Sequence, residues 1–154
     1  MFRHTKSKST CRVIAAGAEF ISKQGHLCAP GISAQSVGAR KIHLQIVVMP
    51  PGDRAHPHKH EGHETAVYII SGESGMWYGE KLEQHLVARA GEFLYIPEDT
   101  PHLPYNFSET ESCVAVVART DPNDQEGVIL LPQLACWRNN YLPPGRVWKD
   151  FQDH

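Results

Sequence analysis

The sequence predicts an all-β fold, and three observations carry that prediction. Turn-forming residues recur at short intervals along the 154-residue chain: Pro30-Gly31, Pro50-Pro51-Gly52, Ser71-Gly72, Tyr78-Gly79, Ala90-Gly91, Pro97 to Pro101, Asp121-Pro122-Asn123 and Pro143-Pro144-Gly145. The stretches between them are rich in β-branched and aromatic residues. They are also short, which leaves little room for long helices. Many short strands at regular spacing imply a sandwich, a jelly roll or a small barrel, and the length is that of one domain of ordinary size.

In chain order, the candidate strands are Ile42 to Met49, Ala66 to Ile70, Gly75 to Tyr78, Leu82 to Ala88, Glu92 to Ile96 and Cys113 to Ala118. The first is preceded by Lys41 and alternates polar with apolar through His43, Leu44, Gln45 and Ile46, as a strand with one covered face does. His43 and Gln45 share one of its faces. Ala66-Val67-Tyr68-Ile69-Ile70 and Val114-Ala115-Val116-Val117 lack polar alternation and read as buried on both sides. The ends are less regular. Residues 1–12 form a polar arm with Arg3, Lys6, Lys8 and Arg12 and no acid. Residues 121–154 form an extension that carries the apolar run Val128 to Leu131 and the aromatics Trp137, Tyr141 and Trp148, which are costly to leave in water and are expected to pack on the barrel or on a second subunit. A single domain over 1–154, with its barrel core at about 41–119, is the expected organisation.

Composition excludes several classes. Fifteen Lys and Arg against 17 Asp and Glu give a formal charge of -2, with no basic excess for a nucleic-acid backbone. Mean hydropathy is -0.38, and no run approaches the ~18 apolar residues of a membrane-spanning helix. The residues after Arg12, Val13-Ile14-Ala15-Ala16-Gly17-Ala18-Glu19, are too few to serve as the apolar segment of a signal peptide. Cys11, Cys28, Cys113 and Cys136 form no Cys-x-x-Cys pair, so they read as packed or incidental thiols in a reducing compartment, and a cytoplasmic location is expected.

Histidine is the unusual residue. There are ten, and His56, His58, His60 and His63 fall within eight consecutive positions. On an extended chain, side chains two apart point the same way, so His58 and His60 can present two imidazoles to one point. His56 shares their parity but lies nearer the turn at Gly52. Glu64 could add a carboxylate, and two His with one carboxylate and vacant positions is an arrangement of non-haem iron oxygenases. Imidazole also suits Zn, Ni and Cu. A second stretch, Gly91 to Asn106, runs from a strand through a Pro-flanked turn to His102, which can close the set.

These residues resemble the two sequence motifs of the cupin superfamily. Gly52, His58, His60, Glu64 and Gly72 match the first, G(x)5HxH(x)3-4E(x)6G, and Gly91, Pro97, His102 and Asn106 match the second, G(x)5PxG(x)2H(x)3N. A histidine-rich surface loop would not be answered by the second set at these intervals. The closest likeness is to small single-domain bacterial cupins. The resemblance implies a double-stranded β-helix, the jelly-roll cupin barrel, with one divalent transition metal (Fe, Mn, Zn or Ni) held by His58, His60, Glu64 and His102. It also implies a small-molecule substrate and a homodimer, for which exposed strand edges and the aromatic tail argue as well. The reading is of a mononuclear metal-dependent enzyme acting on a small polar or carboxylated metabolite, a dioxygenase first. The alternatives are a non-redox isomerase, lyase or decarboxylase, and a sensory barrel without turnover.

Two departures from the pattern stand out. Seven residues separate Glu64 from Gly72 where the motif has six, so either a bulge intervenes or the ligand differs. Strand parity puts His63 and Thr65 on one face and Glu64 on the other, which makes His63 the alternative ligand. Asp99 replaces the motif's turn glycine, a substitution that Asp tolerates at left-handed backbone angles. Arg119 reads either as an anchor for an anionic substrate or as a surface charge. Asn106 is expected to tie down the turn after His102, and Cys113 to be packed.

Overall fold

The structure, a computed structural model, describes residues 10–135. Cys136, Trp137, Tyr141 and Trp148 lie outside the described residues, as does most of the N-terminal arm. Among the described residues eleven strands are formed: β1 (Phe20–Ile21), β2 (Leu27–Ile32), β3 (His43–Met49), β4 (His58–His60), β5 (Thr65–Ser71), β6 (Glu73–Tyr78), β7 (Gln84–Arg89), β8 (Phe93–Ile96), β9 (His102–Tyr105), β10 (Cys113–Arg119) and β11 (Val128–Leu130). One four-residue helix, α1 (Ala34–Val37), follows β2. The strands make two antiparallel sheets, β1-β2-β3-β10-β5-β8 and β11-β4-β9-β6-β7, whose order with its crossovers is that of a jelly roll. The six strands read from the sequence are all present, with ends displaced by one or two residues. β1, β2 and β11 extend the sheets on both sides of the 41–119 core.

Three strands differ from expectation in what their faces do. In β3 the buried face holds His43, Gln45, Val47 and Met49, while Leu44 on the opposite face is exposed, so polar side chains point into the barrel. β5 and β10 were expected to be buried on both faces, and they are not. Ala66, Tyr68 and Ile70 face solvent, and Val114 and Val116 are half-buried. The reason is architectural: the six-stranded sheet covers the barrel with its inner face only. Its outer face carries a cross-strand row of Ile46, Val116, Tyr68 and Phe93, with Phe93 81% exposed.

The interior changes character along the strands. At one end Met49, Ile69, Ala88, Cys113 and Ala115 pack into an apolar core. At the other, the paired row His43, Arg119, Thr65 and Ile96 is largely polar, and the first three are almost wholly buried. A second core of Trp77, Leu82, Leu103, Tyr105 and Leu134 backs the other sheet. Gly75 is required there. It pairs with Tyr105, and a Cβ at Gly75 would lie 2.3 Å from the Tyr105 ring. The Tyr105 hydroxyl makes a 2.6 Å hydrogen bond with His85.

Asn106 ties the strand ends together as expected. Its amide nitrogen donates to the carbonyls of Met49, Pro50 and Glu111.

Candidate metal centre

Two short strands bring three histidines to one point. β4 is only three residues long, so its parity places both His58 and His60 inside, and it pairs antiparallel with β9 at His58 and His102. The turn before β9 contains Asp99 at φ 57, the left-handed angle foreseen for it, and the Asp99 N–H donates to the His60 carbonyl at 2.9 Å. That bond ties the two histidine-bearing segments to each other. Ring centroids are 5.0 Å apart for His58 and His60, 4.2 Å for His58 and His102, and 4.9 Å for His60 and His102. Each ring offers a nitrogen to a set whose atoms all lie within 4.8 Å of one another.

The outer nitrogens of two rings fix which atom is free. His58 Nδ1 lies 2.6 Å from the His56 carbonyl and His102 Nδ1 2.8 Å from the Thr100 carbonyl. A carbonyl only accepts, so each Nδ1 carries the proton and each Nε2 keeps a lone pair for a metal. His56 itself is exposed at the rim, so its part in the site is that of its carbonyl. Burial pushes the pKa of His102 down to about 3, helped by His60, and sets His58 well below the usual range. His26, whose ring is 6.3 Å from that of His58, is pushed down to about 4 by burial. Neutral, oriented imidazoles are what a divalent transition metal requires, so the donor set fits such an ion.

Glu64 is not brought to this point. It is exposed on the outer surface, where its carboxylate accepts from the Tyr95 hydroxyl at 2.7 Å and its N–H donates to Thr120 Oγ1 at 3.0 Å. The extra residue of the motif is accommodated at Ile70: Ser71 pairs with Val114 and Ile69 with Ala115, leaving Ile70 bulged. Because the bulge lies downstream, the parity from His63 to Ile69 is undisturbed. His63 and Thr65 point inward and Glu64 outward. Thr65 Oγ1 is buried without a hydrogen-bond partner.

A carboxylate does reach the cluster, from a residue that the sequence did not single out. Glu126 Oε2 lies 2.9 Å from His60 Nδ1, 2.9 Å from His63 Nε2 and 3.2 Å from Arg119 Nε. Its Oε1 accepts from Gln24 Nε2 at 2.9 Å. Burial opposes its ionisation, but His60, His63 and Arg119 outweigh that and hold the carboxyl far below the usual range. Burial likewise opposes the charge on His63, yet Glu126 raises its pKa. No motif spacing announces Glu126. It is placed by β11, which pairs Val128 with His60 and Leu130 with His58 along the free edge of β4. Arg119, buried and also donating to the Asn123 carbonyl, is therefore neither a surface charge nor a free anchor.

Between the sheets lies a cavity of about 80 Å³ whose lining includes the three histidines. Gln45, Thr65 and His26 line its polar end, and each has a buried side-chain atom without a hydrogen-bond partner. Met49, Ile69, Met76 and Cys113 line the apolar end. Burial pushes the Cys113 thiol up to about 11, which suits a packed thiol. Tyr68 and Tyr95 stand on the outer face and do not line it.

The cupin-domain family model matches residues 45–118. No curated protein matches the chain. Among solved structures, a mutant of Bacillus subtilis oxalate decarboxylase is 20% identical over 72% of this chain and 29% of its own, with a TM-score of 0.61. A putative sugar phosphate isomerase from Acidithiobacillus ferrooxidans is 22% identical over 75% of this chain and 73% of its own, with a TM-score of 0.58. An oxalate oxidase in complex with the substrate analogue glycolate is 21% identical over 72% and 57%, at 0.59. The chain thus spans under a third of the decarboxylase, and likeness at these identities speaks for the fold alone.

Proposed function

We propose, from the match of the cupin-domain model to residues 45–118, that the chain is a mononuclear metal-dependent cupin acting on a small polar or carboxylated metabolite, with its metal on His58, His60 and His102. The convergence of three imidazoles on two paired strands carries this reading. Fe, Mn, Zn and Ni all accept such ligands. Glu64 joined this set by motif alone, and its hydrogen bond to Tyr95 on the outer surface speaks against that role.

When bound, the metal would act as a Lewis acid on an oxygen of the ligand. With three neutral ligands and no directly bound carboxylate, the ion would keep its full double charge, which favours an anionic ligand at the open positions. The chain itself supplies recognition. Gln45 Oε1, Thr65 Oγ1 and His26 Nδ1 are buried without partners; a ligand hydroxyl would donate to Gln45 Oε1, and a ligand carboxylate would accept from the Thr65 hydroxyl and from a protonated His26 Nδ1. The apolar end excludes water, and the 80 Å³ volume admits a molecule of few non-hydrogen atoms. Glycolate, the ligand named with the oxalate oxidase, has that size and chemistry, so short hydroxy acids, dicarboxylates and keto acids form the substrate class to test.

Elemental analysis of protein purified without a His-tag column tests the metal. Near one equivalent of a transition metal, after anaerobic reconstitution if needed, is expected, and less than about a tenth of an equivalent would refute it. Oxygen uptake by the Fe(II) form with these acids identifies the dioxygenase. Turnover without oxygen identifies an isomerase, lyase or decarboxylase, and binding with neither identifies a sensory barrel. The apolar outer face of the six-stranded sheet supports a homodimer, and we carry forward a cytoplasmic location from the cysteine pattern.

A further inference from the structure

We propose that Glu126 is the positioning residue of the metal centre, holding the Nδ1 edge of His60 so that its Nε2 faces the ion, and that the segment following the barrel is thereby part of the site. This rests on the metal-centre reading above and concerns the one histidine that reading leaves unexplained. His58 and His102 are each oriented by the carbonyl two residues earlier in the chain. No main-chain acceptor takes Nδ1 of His60. Its near neighbour is Glu126 Oε2, at 2.9 Å but out of line for a full hydrogen bond, so that a small turn of the ring completes it.

Glu126 is itself held from three further directions, by Gln24, His63 and Arg119, which makes it a fixed reference point for the ring. A carboxylate at Nδ1 also makes an imidazole a stronger electron donor than a carbonyl does. The inward position on β5 that an acid could occupy is taken by Thr65. The carboxylate nearest the centre thus lies on the far side of His60 rather than among the three imidazoles.

A competing reading makes His60, His63 and Glu126 a second cation site, since their ligand atoms also cluster within 4.8 Å. Arg119 argues against it. Its guanidinium does not lose its proton in proteins, and its Nε lies 3.2 Å from the oxygen a second cation would need. Oε2, the oxygen that a second cation would need, already faces His60, His63 and Arg119, and Oε1 accepts from Gln24, so no lone pair of Oε2 is left for a cation.

Co2+ binding to the full chain, followed by its visible bands, tests the assignment. Glu126→Gln keeps the volume and removes the charge. It is expected to weaken Co2+ binding by ~10–100-fold and to shift the bands, and to lower the metal-free melting temperature because Arg119 loses its buried partner, so binding is read well below that temperature. Glu126→Asp should recover part of the affinity. Asp124→Asn, in the same segment but contacting His43, should bind as wild type does. Glu126→Gln binding within twofold of wild type with identical bands would overturn the proposal, as would an equal loss in Asp124→Asn. Should Glu126→Gln fail to fold, Glu126→Asp decides by its bands: displaced bands support the proposal and unchanged ones overturn it. Wild type that takes up no Co2+ overturns the metal-centre reading and this proposal with it, whereas wild-type uptake matched by Glu126→Gln overturns this proposal alone. Two equivalents of Co2+ bound per chain, one of them lost in Glu126→Gln, would favour the second cation site instead and overturn it.

Discussion

Two glutamates approach the histidine cluster from different regions, Glu64 from the turn between β4 and β5 and Glu126 from the segment between β10 and β11, and they end on opposite sides of the barrel wall. Glu64 is four residues from His60 and faces solvent beside Tyr95. Glu126 is remote in sequence and buried against His60. Neighbourhood in the chain decides less here than strand parity. Once β4 directs its even-numbered histidines inward and His63 and Thr65 follow on the inner face, Glu64 is committed to the outer one.

A ladder of substitutions tests this contrast. His58→Ala or His102→Ala removes a proposed ligand and should abolish tight metal binding, leaving below about a tenth of an equivalent after desalting; full occupancy in either would contradict the site. Glu126→Gln comes next, with the loss of Co2+ affinity given above. His63→Ala removes one of the donors that fix Glu126 and should weaken binding only ~3–10-fold, as seen by competition with a chelator. Glu64→Gln should leave affinity unchanged and stability within ~0.5 kcal/mol in urea titrations. If Glu64→Gln cost more affinity than Glu126→Gln, the roles assigned to the two glutamates would be reversed.

Acid should act on the metal-free protein through the inner region. His26, His58 and His102 all titrate below their ordinary value of 6.5 when folded, so the unfolded chain binds more protons below that pH. Their contribution to stability is present above 6.5 and is lost as pH falls from there towards about 4 for His26 and about 3 for His102. Each group adds a slope of up to ~1.4 kcal/mol per pH unit. Glu126, held below its ordinary 4.5, adds to the loss at the acid end, whereas His63, raised, works in the opposite sense and above 6.5, its contribution being complete before the loss begins. Urea midpoints should therefore fall between pH 7 and pH 5, and a flat profile would contradict the burial of neutral histidines.

What the sequence disclosed follows from the range of the forces involved. β3, β5 and β10 were legible because their runs of β-branched residues favour the extended chain whichever face they meet, and His58 and His60 because a period of two is a local property. His102 was legible through its spacing from Pro97 and Asn106. β4 and β9 were not, since their residues are histidine, lysine and proline as much as apolar, and they become strands by pairing with each other and with β11 and β6. Pro30-Gly31 reads as a turn but lies within β2, where the pairing with β3 slips between Pro30 and Ile32 and the Gly31 backbone passes close to Leu44. Glu126 had no local signature at all, because its place depends on the long-range pairing of β11 with β4.

That pairing bears on where the functional unit ends. The match to the family stops at residue 118, yet β11 still has to zip onto β4, and Glu126 to insert beside His60, before the pocket has all its walls. A fragment trimmed to the matched span would keep all three histidines and forfeit the brace on the middle one. The smallest piece worth expressing or transplanting therefore runs past the recognised barrel to Leu131 at least, because Glu126 and β11 lie beyond the matched span.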